Sequence, residues 1–137
     1  MLGGTLRCFK TEIAEQAGEL IEQTVKAISS LHGAQYQFSF ARGLVPLIND
    51  ATAVDLLTSA AREIAGEHSV VPVPQVLLGE DFSLYCQQVP AAFFVLGTGF
   101  AGQKNYQLHH SKFNLNEAAL VVGASVLANA ALAALRK

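Results

Sequence analysis

Two cysteines, Cys8 and Cys86, are all that this 137-residue chain contains. That is too few for the disulfide framework of a small secreted domain, and neither stands in a Cys-x-x-Cys or Cys/His zinc spacing. Both read as reduced, buried thiols. Positive charge is also scarce: nine Lys and Arg residues face eleven Asp and Glu, for a net charge of -2. With no basic run there is no electrostatic footprint for nucleic acid. The opening Met1-Leu2-Gly3-Gly4-Thr5 lacks the basic-then-apolar pattern of a secretory leader, so a cytoplasmic location is expected. Internal repeats and low-complexity linkers are missing. No Gly-x-Ser-x-Gly elbow surrounds Ser83, which argues against a serine hydrolase. Gly97, Gly99 and Gly102 are followed by no Lys-Ser/Thr pair and open no helix directly, so they do not form a phosphate loop.

What the chain does have is apolar surface to bury. Hydrophobic residues make up 51% of it, enough for one ordinary domain or two small lobes. Gly4 to Phe9 alternates, with Leu6 and Cys8 on one face and Thr5 and Arg7 on the other, as a half-buried strand requires. From Thr11 the apolar positions Ile13, Ala14, Ala17, Leu20, Ile21, Val25, Ile28 and Leu31 recur at helical spacing, opposite Glu12, Glu15, Glu19, Glu22 and Lys26. This predicts an amphipathic helix of about five turns, ended by Gly33 in a left-handed cap. Gln35 to Ala41 alternates again around Tyr36, Phe38 and Phe40 and reads as a second strand.

Gly43 and Pro46 break the pattern, placing a lobe boundary near residue 47. Asn49 or Asp50 then caps a second helix through Ala65, closed by Gly66. Val70 to Leu78 carries Pro72 and Pro74, so it is expected as an irregular or edge strand. Glu80 to Gln88 suits a short helix, and Ala92 to Leu96 a buried strand. Asn114 and Glu117 have capping-box spacing for a last helix running to about Leu135. Ala118 to Leu135 carries no charge, but it is alanine-rich and includes Ser125 and Asn129. It reads as a buried helix, since a membrane span wants bulkier residues and flanking anchors. Alternation of strands and helices makes the fold class α/β or α+β.

Chemistry concentrates between Gly79 and Leu120. His109 and His110 end a loop that follows a buried strand, where ligands of open α/β sheets gather. Adjacent residues in extended chain diverge, so at most one of the two is expected to ligate a given metal, the other reading being a hydrogen-bonded surface pair. Glu80 and Asp81, also adjacent, suit one inward carboxylate and one at a helix start, or plain loop fixing. His32, in the last turn of the first helix, and His68, in a polar turn, read as structural. Cys86 has no neighbour that would activate a thiol.

Three stretches carry a resemblance. Gly4-Thr5-Leu6-Arg7-Cys8-Phe9, Gly79-Glu80-Asp81-Phe82-Ser83 and Leu108-His109-His110-Ser111-Lys112-Phe113 resemble, in order and spacing, the Gly-Thr-x-Arg-Thr-Phe, Gly-x-Glu-Asp-Phe and Leu-His-x-Pro-x-Phe motifs of a known family. It comprises the metal-dependent amidohydrolases that include aminoacylases, hippurate hydrolases and indole-acetyl-amino-acid hydrolases, which are zinc-peptidase-like. Ser111 and Cys8 depart from it without removing a ligating atom. The resemblance implies that His109 is a metal ligand and that Glu80 and Asp81 lie near the active site. It implies a divalent transition metal, zinc, manganese or similar, in the complete enzyme, and a small N-acyl amino acid or peptide as substrate.

The family's Cys-Gly-His-Asp-Gly-His segment, its Glu-Glu pair with the general base and a further histidine have no counterpart here. The chain is therefore expected to be a truncated C-terminal part, with no catalytic residue of its own and no activity alone. Residues 1–47 would be the strand-helix-strand half of a ferredoxin-like lid or dimerisation lobe, and 48–137 the C-terminal part of the catalytic domain. The two lid strands would flank a missing one, so a homodimer or the missing N-terminal portion is the expected partner, with no nucleic acid and no membrane. The alternative is a non-catalytic binding or oligomerisation module that keeps the fold.

Overall fold

The computed structural model describes residues 1–136, which divide into two compact units: 1–48 with 74–89, and 49–73 with the residues from 90 onward. Four helices are formed among the described residues: α1 (Thr11–Leu31), α2 (Ala51–Ala65), α3 (Ser83–Cys86) and α4 (Ala118–Leu135).

In the first unit, α1 starts without a side-chain cap, and Glu12 stands in its first turn where the helix dipole favours a carboxylate. Its end is specified by Gly33, at φ +61°. The Ala34 N–H donates to the Ser29 carbonyl at 2.8 Å and the Gly33 N–H to that of Ser30 at 3.2 Å. These are the paired bonds of a Schellman motif. Gly18 is the buried residue of α1. The Phe40 ring lies across it, so close that a Cβ there would come within 2.9 Å of Cδ1. The missing side chain is what lets the returning segment reach the helix. Leu20, Ile21, Ile28 and Leu31, on another side of α1, stay exposed.

The second unit holds the tightest packing. Asp50 caps α2, its Oδ1 accepting the Ala53 N–H at 2.9 Å, and Gly66 ends it at φ +94°. Asn49 does something different: its side-chain amide donates to the Phe93 carbonyl at 2.9 Å and accepts the Phe93 N–H at 2.8 Å. One side chain thus imitates the edge of a strand. Ala60 of α2 and Val126 and Ala130 of α4 form the core, with Leu56, Leu57, Ala61, Phe94 and Val122 around them. Small residues set this spacing, and at Gly123 a Cβ would sit 2.8 Å from the Leu96 Cδ2. Asn129 Nδ2 also donates to Glu63 Oε2 at 2.7 Å.

Two expectations need correction here. The expected Asn114 cap of α4 is not formed: the residue before the helix is Glu117, which makes no side-chain cap, the Asn116 Oδ1 accepts the Ala118 N–H at 3.1 Å, and the Asn114 Oδ1 is taken up by the next residue, Leu115. Asn116 is itself anchored through its N–H to the Thr98 carbonyl at 2.8 Å, and this fixes where the helix begins. Secondly, α4 is not buried all round. It is long and apolar enough, by length and composition, to cross a membrane, with mean hydropathy 2.1, and only 17% of it is covered. Leu120, Val121, Leu127, Leu132 and Leu135 remain exposed.

The segments 4–9, 35–41, 70–78 and 92–96 run without regular secondary structure, and no strand is formed among the described residues. Alternation defines a face, whereas a strand also needs a neighbour to complete its ladder.

Candidate functional site

Glu80 and Asp81 belong to the first unit, His109 and His110 to the second, and each pair is built locally. Before the acidic pair, Gly79 lies against the Arg7 guanidinium, where a Cβ would come within 2.9 Å of Nη1. Glu80 is half-buried. Its Oε1 accepts the Phe82 N–H at 3.2 Å, and its carbonyl accepts the Ser83 N–H at the same distance. The Glu80 carboxylate therefore fixes the turn into α3. Asp81 is exposed and contributes only its carbonyl, to the Leu84 N–H at 3.0 Å. Ser83, 0% exposed, has an Oγ with no hydrogen-bond partner among the described residues. A cavity of about 280 Å³ in this unit is lined by Phe9, Lys10, Thr11, Val45, Pro46 and Cys86, among others. Ser83 borders it, but its hydroxyl is closed off from solvent, which does not suit a nucleophile. Cys8 and Cys86 are free thiols, half-buried rather than buried as expected.

The histidine loop is tied at several points. Asn105 braces its start: its Oδ1 accepts the Phe100 N–H at 2.8 Å and its Nδ2 donates to the Phe100 carbonyl at 3.0 Å. Tyr106 stacks on His110 with ring centroids 4.4 Å apart, and the Lys104 Nζ lies 5.2 Å from the Tyr106 centroid. His110 is committed three further times. Its N–H donates to the Gln107 carbonyl at 3.1 Å, its carbonyl accepts the Phe113 N–H at 2.9 Å, and its Nδ1 accepts the Lys112 N–H at 3.0 Å. An accepting Nδ1 has its lone pair engaged by the chain's own backbone.

His109 is the opposite case. It is the one non-glycine residue with positive φ, at +69°, among the described residues. Such a backbone costs on the order of 1–3 kcal/mol outside glycine, and persists where its surroundings over-determine it. The His109 imidazole is exposed and engaged in no hydrogen bond among the described residues, so both ring nitrogens are open to a ligand. No group of three His, Cys, Asp or Glu side chains that could hold a metal forms among the described residues. One uncommitted imidazole fits the part of a single donor, and the remainder of a donor set is not made by these residues. Tyr106, which helps hold this loop, lies in no motif, and Lys112 falls at a variable position of its motif, so neither was singled out in the sequence.

Comparison with known proteins settles the family. The model for "Peptidase family M20/M25/M40" matches residues 5–133, nearly the whole chain and all of the three motif stretches except Gly4. The chain belongs to this family. Among curated relatives of this M20 chain, a Synechocystis sp. protein named as a probable hydrolase is 39% identical over 132 residues, covering 95% of this chain and 34% of its own length. An N-acetylcysteine deacetylase of Bacillus subtilis is 31% identical, covering 94% of this chain and 32% of the relative. A thermostable carboxypeptidase of Saccharolobus solfataricus is also 31% identical, at 95% and 32% coverage. The chain thus spans about a third of the length of the curated relatives it matches. No solved structure matches it at a significant level. As an M20 chain, it is part of a hydrolase family.

Proposed function

We propose that this chain is one part of a metal-dependent amidohydrolase that cleaves the amide bond of N-acyl amino acids or small peptides. The carrying observation is His109: within the matched region, a positive-φ backbone presents an exposed imidazole with both nitrogens free. The relatives named for deacetylation of an N-acetyl amino acid and for carboxypeptidase action support this substrate class. In the complete enzyme a divalent metal, zinc, manganese or similar, would supply Lewis-acid polarisation of the amide carbonyl and an activated water. His109 is one donor to it. Glu80 shapes the turn into α3, and Asp81 offers the exposed carboxylate of the pair.

Under this reading the fold is α/β, with 1–47 as part of a lid lobe and 48–137 as the end of the catalytic domain. The segments 4–9 and 35–41 become strands once a neighbour, from a second copy or from an N-terminal portion, stands between them. The location is cytoplasmic, and the chain by itself is inactive because one imidazole cannot both hold and activate water.

The exposed apolar positions of α1 and α4 favour a second reading, a non-catalytic binding or oligomerisation module. Metal content per chain, measured by plasma mass spectrometry on tag-free protein with His109→Ala and His110→Ala, separates the two when combined with an N-acetyl amino acid hydrolysis assay. The expected result is substoichiometric metal, lost in His109→Ala and only reduced in His110→Ala, with no hydrolysis. Metal uptake indifferent to His109 would overturn the ligand role, and hydrolysis by this chain would overturn its inactivity alone.

A further inference from the structure

The geometry points to His110 as the positioning residue for its neighbour: its ring, stacked on Tyr106 and accepting the Lys112 N–H, holds the His109 backbone in the left-handed region and so presents the His109 imidazole. This inference rests on the reading of His109 as a site residue. A left-handed histidine reverts to an extended or right-handed backbone unless something prevents it. Three restraints fall on the very next residue. The Tyr106 stack at 4.4 Å fixes the plane of the His110 ring. The bond from the Lys112 N–H to Nδ1, 3.0 Å, is an i to i+2 contact of the kind that Asn or Asp makes in an Asx turn. The backbone bonds from His110 to Gln107 and from Phe113 to His110 then close the chain on either side of this ring. The same commitments keep His110 from competing for a ligand, since Nδ1 is occupied. Two adjacent histidines therefore divide the work: one is spent on conformation so that the other is left open.

The chemistry predicts an unusual rescue. An asparagine side chain offers an oxygen where the histidine offers Nδ1, so His110→Asn keeps the turn without the ring, whereas His110→Phe keeps the stack without the acceptor and His110→Ala keeps neither. The full 137-residue chain is examined by NMR for the strong amide-to-Hα NOE within His109 that a positive φ produces, and zinc chloride is then titrated while the His109 imidazole signals are followed. His110→Asn is expected to retain the NOE and a zinc response within about threefold of the parent. His110→Ala is expected to lose the NOE and weaken the response by about tenfold or more, the scale on which groups supporting a ligand act. His110→Phe should fall nearer to His110→Ala. An unchanged NOE and zinc response in His110→Ala, or a His110→Asn no better than His110→Ala, overturns the proposal. If zinc leaves His109 untouched in the parent chain, the ligand reading fails by itself, and the NOE series alone decides whether His110 sets the backbone.

Discussion

α1 and the α2/α4 pair are opposites in pattern and in outcome. α1 has the clean amphipathic spacing, yet Gly18 is its buried residue and Leu20 is 61% exposed. α4 has almost no polar face, yet it forms the core of its unit through Val126 and Ala130, which are 4% and 5% exposed. The difference teaches that helical periodicity states which side must be covered, while small residues decide where two elements can close. Ala60 and Ala130 permit contact between α2 and α4, as Gly123 does against Leu96. On α1 the one comparable position, Gly18, admits Phe40.

The harshest way to break this contrast is to put a charge into the helix pair. Ala130→Asp should cost about 3 kcal/mol or more, because an unpaired carboxylate would replace an alanine in the core. Urea unfolding followed by circular dichroism reads this, and a cost below about 1 kcal/mol would mean the α2/α4 contact is not the core of the unit. A smaller loss is expected at the end of α1. Gly33→Ala forces a Cβ into the left-handed region at φ +61° and should cost about 1 kcal/mol. Nothing lies within 4 Å of that position, so thermal unfolding of this variant isolates backbone strain from packing. Least affected should be Leu20→Ala on the bare side of α1, within about 0.5 kcal/mol in dilute protein. Melting at two protein concentrations sharpens the comparison: a wild-type Tm that rises with concentration, and a Leu20→Ala Tm that does not, would put a second copy on that face.

The helix ends were legible because caps are local chemistry. Asp50, Gly66 and Gly33 each act through atoms within a few residues of themselves. The start of α4 was not, since Asn114 turns to Leu115 while Asn116, held by the Thr98 carbonyl far back in the chain, reaches the Ala118 N–H. The alternating segments 4–9 and 35–41 announce a face but cannot announce a neighbour, and no ladder forms among the described residues. At the site, the sequence singles out the histidine pair and limits it to one ligand. Which ring is left uncommitted depends on Tyr106 stacking on one of them and on the turn at Lys112, which no spacing rule reports. The exposed state of Asp81 and the turn-fixing bond of Glu80 were likewise open between two readings until the Phe82 N–H was located.

The way the chain is threaded through its two units has a consequence for how it is made and cut. It passes from one unit to the other three times, at 48/49, 73/74 and 89/90. During synthesis α2 therefore emerges before the first unit has received its 74–89 segment, and it must wait for α4, more than fifty residues later, to cover Ala60. Neither unit can be released intact by a single cut. A protease that opens the chain at any one of these crossings leaves each unit either incomplete or still joined to the other, so the two should rise and fall together in a limited digest.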